Sequence, residues 1–313
     1  MLRYRHELAL CFVTMLWGAT FLIIRNAMEH CGPLWFVGLR TGTAALVLLL
    51  VSFPILRETT ARELRAGLVV GFFIFLGFAL QTAGLATLDA SKSAFLTAFY
   101  VPLVPLLERV FMGHPLTRRS LAGLTLAFAG VILLTGGTKL SFSGSPGECL
   151  TLLCSLLFAL EIVFTGIFAP GCNARRMTLI EMTVISVLSF VFMPVTGETV
   201  PAFSWYVTLS ACALGAATAL IQFVIVWAQK VVPPTRATLI YTTEPVWGGF
   251  FGALAGERMT ASALAGCGLI LSGILTGIVR RTKPLAAASK AKTEEGTAEQ
   301  AGAGSEKQSA PRP

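Results

Sequence analysis

The chain has 313 residues, 55% of them hydrophobic and only 13% charged, with a formal net charge of +8. A soluble domain carries about 25% charged residues, so this composition excludes an ordinary soluble enzyme and assigns most of the chain to lipid. The basic residues are spread over connecting segments rather than gathered in a patch, which excludes a nucleic-acid surface.

Met1–Glu7 is short and basic. The first apolar run, Leu8–Ile24, is followed by no small-residue cleavage site and by further spans, so it reads as a retained helix rather than a signal peptide. Nine more runs follow: Pro33–Leu56, Ala66–Leu85, Ser93–Leu107, Leu121–Thr135, Gly147–Pro170, Thr178–Val195, Trp205–Ala228, Ala237–Ala255 and Ala261–Val279. Each is of the order needed to cross a bilayer as a helix, so an all-α membrane protein of ten transmembrane helices is predicted. Residues 284–313 are polar, rich in Gly, Ala and Ser and without apolar periodicity, and read as a disordered cytoplasmic tail.

Loop charge sets the orientation. With the N-terminus in the cytoplasm, the inner segments hold 15 Lys and Arg, among them Arg57, Arg109, Arg175, Arg236 and Arg280. The outer loops hold four: Arg25, Lys92, Lys139 and Arg258. Both termini are therefore expected in the cytoplasm.

The ninth span carries Glu244 followed by Pro245 near its middle. A carboxylate at that depth costs on the order of 2.5–3.5 kcal/mol on insertion scales. Pro245 cannot donate to the helix ladder and loosens the backbone one turn back, at Tyr241. Glu244, Gly248, Gly252 and Gly256 recur every four residues and share a face, which suits close packing beside a polar cavity better than contact with lipid. Shifting this stretch back by 143 residues lays Pro245 on Pro102, Thr260 on Thr117, Gly266 on Gly123 and Gly273 on Gly130. The chain thus reads as two copies of one unit, residues 1–139 (spans 1–5) and 140–283 (spans 6–10). An odd number of spans in each makes the copies inverted. Interrupted apolar segments at matching places in two halves point to a transporter's binding site.

The ionisable groups within spans are Arg40, Glu161, Glu181 and Glu244. Glu244 and Glu161 lie near mid-span and are candidates for a cavity or coupling role, Glu244 as a carrier of protons; the plainer alternative is a helix–helix hydrogen bond. Glu181 lies near a cytoplasmic span end, where interfacial exposure is expected, and Arg40 reads as a structural group that snorkels or pairs with a carboxylate. Trp17 and Thr20 on the first span, Gln81 on the third, Thr97 and Tyr100 before Pro102, Gln222 on the eighth and Tyr241 before Glu244 complete a candidate substrate-binding set. Lys92 and Arg236 flank the fourth and ninth spans at matching ends and read as plain flanking charges.

Seven cysteines without a CxxC pair, and His6, His30 and His114 outside the apolar cores, give no reason to expect a metal or other cofactor. There is no phosphate-binding G-x-x-x-x-G-K-[ST] loop for ATP. No nucleophile–base set suggests catalysis.

LWGATF in the first span, GLR in the second, and the half-endings VPLVPLLERVFMGHPLTRRSLAGLTLAFAGVILL and EPVWGGFFGALAGERMTASALAGCGLILSGIL resemble the EamA-type members of the drug/metabolite transporter superfamily. The resemblance covers about residues 8–279; the first half departs from it in having His114 where the second has Glu257. It implies ten helices in two inverted five-helix repeats around a central cavity, and export of small metabolites or amino acids by alternating access. Onto this sequence it carries Trp17, Thr20, Gln81, Thr97, Tyr100, Glu161, Gln222, Tyr241 and Glu244. The expected protein is a secondary carrier of a bacterial inner membrane. Its partners would be a small solute, the lipid bilayer and protons. Two other classes are a non-transporting partner subunit and a membrane-embedded enzyme acting on lipid; the second would want clustered Asp or His near an interface.

Overall fold

The computed structural model describes residues 4–28, 30–85, 87–88, 90–135, 142–254 and 260–278. Expectations for Asp89, Lys139, Gly256, Glu257, Arg258 and the 284–313 tail lie outside these residues.

Twelve helices follow one another among the described residues: α1 (Arg5–Met28), α2 (Pro33–Ser52), α3 (Ala61–Leu85), α4 (Ala90–Thr97), α5 (Tyr100–Met112), α6 (Arg118–Leu134), α7 (Pro146–Phe168), α8 (Ala174–Phe192), α9 (Trp205–Gln229), α10 (Pro234–Tyr241), α11 (Glu244–Leu254) and α12 (Ala261–Ile278). Their ends are written locally. Thr117, Ser145, Asn173 and Ser204 accept backbone N–H bonds as N-caps of α6, α7, α8 and α9. Ser145 and Glu148 form a reciprocal capping box, with Pro146 in the first turn. Gly113 ends α5 at φ 68°, a conformation that costs a glycine nothing.

Five segments among the described residues are long and apolar enough to cross a membrane: Pro33–Glu58, Ala61–Gln81, Lys92–Met112, Pro146–Gly171 and Trp205–Gln229. Large apolar side chains stay exposed along the helices, as at Leu50, Val110, Leu209 and Leu275, which in water would be an aggregation hazard and in lipid is the favoured outer face. The molecule is a multi-pass membrane protein.

Two of the spans are broken. The fourth is interrupted between Thr97 and Tyr100, and the ninth between Tyr241 and Glu244. The 143-residue shift carries the first break, at 98–99, onto 241–242, one residue from the second at 242–243. The same shift carries Arg118–Leu134 onto 261–277, against Ala261–Ile278, and Ala61–Leu85 onto 204–228, against Trp205–Gln229.

Packing follows a matching pattern. α6 lies against α12 and α2 against α8; α3 packs on α7 as α1 does on α9; α5 packs on α7 as α1 does on α11; and α2 meets α9 as α8 meets α3. Glycines set the closest approach. A Cβ built on Gly123 would stand 2.7 Å from the carbonyl oxygen of Gly273, and one on Gly130 2.6 Å from that of Gly266. No side chain fits there, and the backbones of α6 and α12 touch as small-residue interfaces in membranes allow.

Candidate functional site

The two broken spans bring their interruptions to the middle of the bundle, where other helices tie them down. Thr243, in the second break, shares a 2.7 Å hydroxyl–hydroxyl hydrogen bond with Thr14 of α1. Thr97, at the end of α4, accepts a 3.2 Å bond from the Gln81 amide of α3. A helix break frees backbone groups that inside a bilayer must find partners in the protein or in a water-filled cavity.

Glu244 is the first residue of α11, at the break itself. Its charge and that of Arg40, on α2, act on each other. Arg40 Nε also donates a 2.6 Å hydrogen bond to Thr218 Oγ1, which ties the guanidinium to α9. Tyr100, the first residue of α5, lies within electrostatic reach of both Glu244 and Glu161 of α7. Tyr241 lies within reach of Glu161 as well. Glu161 and Glu244 are each half-buried. One turn along α11 from Glu244, on the same face, a Cβ built on Gly248 would meet no atom within 4 Å. The acid's face therefore borders open space.

The aromatic members cluster. Trp17 meets Tyr241 edge-on with ring centroids 5.8 Å apart, and Trp17, Tyr100 and Tyr241 belong to one packed group with Ile225 and Ala237. The Tyr241 hydroxyl accepts from Gln229 Nε2 at 3.0 Å. Thr20 spends its hydroxyl on the Trp17 carbonyl one turn back, at 2.8 Å, and Gln222 is buried on α9. Contact or electrostatic reach thus links Trp17, Tyr100, Glu161, Tyr241 and Glu244, while Gln81 and Thr97 pair with each other at the first break.

Arg40, read as a structural group that snorkels or pairs with a carboxylate, bonds Thr218 and lies within electrostatic reach of Glu244. One reading from sequence changes. Glu181, expected at an exposed interface, is 1% exposed, and α3 packs on its backbone at Gly71. The glycine expectation shifts too: the close contact is made by Gly18 of α1, whose Cβ would stand 2.6 Å from Trp247 Cβ, while Gly248 faces open space.

The flanking charges are engaged. Lys92 of α4 pairs with the fully buried Glu148 of α7, and Arg236 of α10 with Glu7 of α1 at 3.4 Å. Glu63 holds Arg176 at 2.8 Å and accepts from the Asn173 backbone N–H at 2.8 Å. This carboxylate keeps the Arg176 guanidinium above its ordinary range. Glu198 accepts from the backbone N–H groups of Leu34 and Trp35 at 3.0 and 2.7 Å, an acid at a helix N-terminus. Glu108 bonds His114 Nδ1 at 2.8 Å and accepts from the Thr235 N–H at 2.7 Å.

The model of the EamA-like transporter family matches residues 5–136 and again 145–278. An uncharacterized transporter of Archaeoglobus fulgidus is 28% identical over 274 residues, covering 86% of this chain and 84% of that one. An uncharacterized inner membrane transporter of Escherichia coli K12 is 26% identical over 85% of this chain and 88% of its own. A Salmonella typhimurium protein named a probable amino-acid metabolite efflux pump is 26% identical, with 86% and 95% covered. A solved crystal structure superposes with a TM-score of 0.74 over 88% of this chain and 98% of that one, at 16% identity, a likeness of fold.

Proposed function

The chain belongs to the EamA-like transporter family, and we propose that it is a secondary active carrier, an exporter or exchanger of a small metabolite that works by alternating access. Family membership makes it a transporter rather than an enzyme. Its place is the inner membrane, with both termini in the cytoplasm. Its architecture is ten spans in two inverted five-helix repeats, residues 1–139 and 140–283, followed by a cytoplasmic tail.

Packing supports the inversion. Gly123 approaches Gly273 while Gly130 approaches Gly266, so α6 and α12 run antiparallel. The shift of 143 residues makes these two helices counterparts. Counterparts that run in opposite directions and touch through exchanged residues are the mark of a two-fold relation between inverted halves.

One observation carries the functional reading. Glu244 stands at the break between α10 and α11, within electrostatic reach of Arg40 and Tyr100, on a face that borders open space at Gly248. An acid, a base and aromatic rings at one point inside a bundle make a site for a small solute with polar ends and a planar or apolar body. The binding set is Trp17, Thr20, Gln81, Thr97, Tyr100, Glu161, Gln222, Tyr241 and Glu244, with Arg40 added. Amino-acid-like solutes are the first to try, given the name of the Salmonella typhimurium relative. Glu244 is the candidate coupling group, bound to a proton when the cavity faces one side and releasing it at the other.

The test begins with metabolite profiles of cells with and without the protein, inside and outside, to find the solute. Vesicles holding the purified chain are expected to move it without ATP, and Glu244→Gln to lose most of the flux together with its dependence on pH. Intact flux with unchanged pH dependence in that variant would remove Glu244 from the coupling role.

A further inference from the structure

α8 packs against α2, α3 and α9, and on it Met177, Met182 and Ile185 join Leu48 of α2 and Ile74 of α3 in the largest core cluster. Glu181 sits among these side chains, 1% exposed, and neither of its carboxyl oxygens has a hydrogen-bond partner. An ionised carboxylate in apolar surroundings without a partner is far costlier than a neutral acid, so the group holds a proton in this conformation. Even the neutral acid leaves polar atoms unsatisfied, a cost that a leucine at the same place would not incur. A buried polar group of that kind calls for a role beyond packing.

The charges around it are otherwise committed. On α3, Glu63 is held by Arg176 and by the start of α8, and Arg62 and Arg65 are exposed at the helix end. On α2, Arg40 bonds Thr218 and lies within electrostatic reach of Glu244. On α8 itself, Arg176 is taken by Glu63 and Glu58, and Arg175 donates to the Val51 carbonyl at the helix end. On α9 the ionisable side chains, Tyr206 and Cys212, lie in its first two turns.

We propose that Glu181 is a second proton-binding site of this protein, more deeply buried than Glu244. In the loading step a proton from the cavity binds a carboxylate oxygen of Glu181, and unloading is the reverse. The use of this site in transport rests on the carrier reading; its existence does not.

The test reads protonation directly. The full-length protein and its Glu181→Gln variant, reconstituted in lipid vesicles, are compared by infrared spectroscopy in H2O and after transfer to D2O. A protonated-carboxyl C=O component is expected at neutral pH in the unaltered protein, shifting in D2O as its proton exchanges. Glu181→Gln is expected to lack that component. A Glu181→Gln spectrum that keeps every protonated-carboxyl component would show the acid ionised and overturn the proposal. So would an unaltered protein in which no component shifts in D2O, since the acid would then be sealed from the cavity; this arm needs no variant to fold. Failure of the carrier reading shows separately, as vesicles that move no solute.

Discussion

Gly18 and Gly248 lie on opposite sides of one contact, between α1 and α11, and do different work. Gly18 lets α1 press on the backbone of Trp247 and Gly248, where an added methyl would sit 2.6–2.9 Å from three atoms. Gly18→Ala is expected to lower stability by about 1–3 kcal/mol, the usual cost of overpacking, read as an earlier melting transition in detergent. Gly248→Ala meets nothing, and in a helix it is expected to hold or raise stability by about 0.5–1 kcal/mol. Gly248→Cys, made in a background without native cysteines, is expected to react with a water-soluble thiol reagent in intact membranes; protection from both sides would argue for lipid rather than water beside Glu244. The mid-span acid and the four-residue glycine spacing were legible in the sequence. Which glycine makes the contact was not, because spacing defines a face and only the partner helix decides what that face meets. The same limit hid Glu181, whose place two turns into α8 reads as an interface until α2 and α3 close over it, and the partner of Arg40, Thr218, which lies on another helix.

At the scale of helices, one device occurs twice. Lys92 of α4 pairs with Glu148 at the start of α7, and Arg236 of α10 pairs with Glu7 at the start of α1. Each pair ties a broken span of one half to the first helix of the other. The 143-residue shift takes Lys92 to the neighbour of Arg236, and Glu148 to within two residues of Glu7. The Glu148 carboxylate is buried and also caps its own helix through the Ser143 and Ser145 N–H groups, whereas Arg236 and Glu7 keep side-chain exposures of 23% and 13%. Lys92→Ala is therefore expected to cost stability at the lower end of the roughly 3–5 kcal/mol for breaking a buried pair. Arg236→Ala is expected to cost about 1 kcal/mol or less. If these pairs close the two ends of the bundle in turn, Lys92→Glu would abolish flux and the double variant Lys92→Glu, Glu148→Lys would recover part of it. A double variant no better than the single one would leave the pair a matter of stability alone. The sequence placed both bases at matching ends of matching spans; their partners, more than 50 and more than 220 residues away, depend on how the halves pack.

For the molecule as a whole, contacts at the helix ends bear on the number of spans, which hydropathy alone leaves to segment counting. Five helices satisfy the length and apolarity of a span, yet shorter or more charged ones such as α8 and α12 pack in the same bundle. Loop charge assigns Glu7, Glu63, Glu108, Asn173, Thr235 and Arg236 to the cytoplasmic face, and Leu34, Lys92, Glu148 and Glu198 to the other. The polar contacts respect that division: Glu63 with Asn173, Glu108 with Thr235, and Glu7 with Arg236 on one face; Glu198 with Leu34, and Lys92 with Glu148 on the other. One span too many or too few between any two of these segments would put the partners on opposite sides of about 30 Å of hydrocarbon, which no side chain bridges. The five contacts constrain the eight proposed spans between Glu7 and Arg236, and the proposed ten-span arrangement is consistent with them. Single cysteines at Thr60, His114 and Arg175 are accordingly expected to be labelled by an impermeant thiol reagent only when the cytoplasmic face is open to it, and cysteines at Ser145 and Ser204 from the opposite face in intact cells. Thr60 lies in the first half and Arg175 in the second, each beside the second helix of its repeat but at opposite ends of it: after α2, and at the start of α8. Labelling of both from one side follows only if α2 and α8 run in opposite directions, so this pair of positions tests the inversion itself. Labelling of Thr60 and Arg175 from opposite sides would mean that the halves repeat without inverting, and the two-fold relation drawn from α6 and α12 would have to be given up.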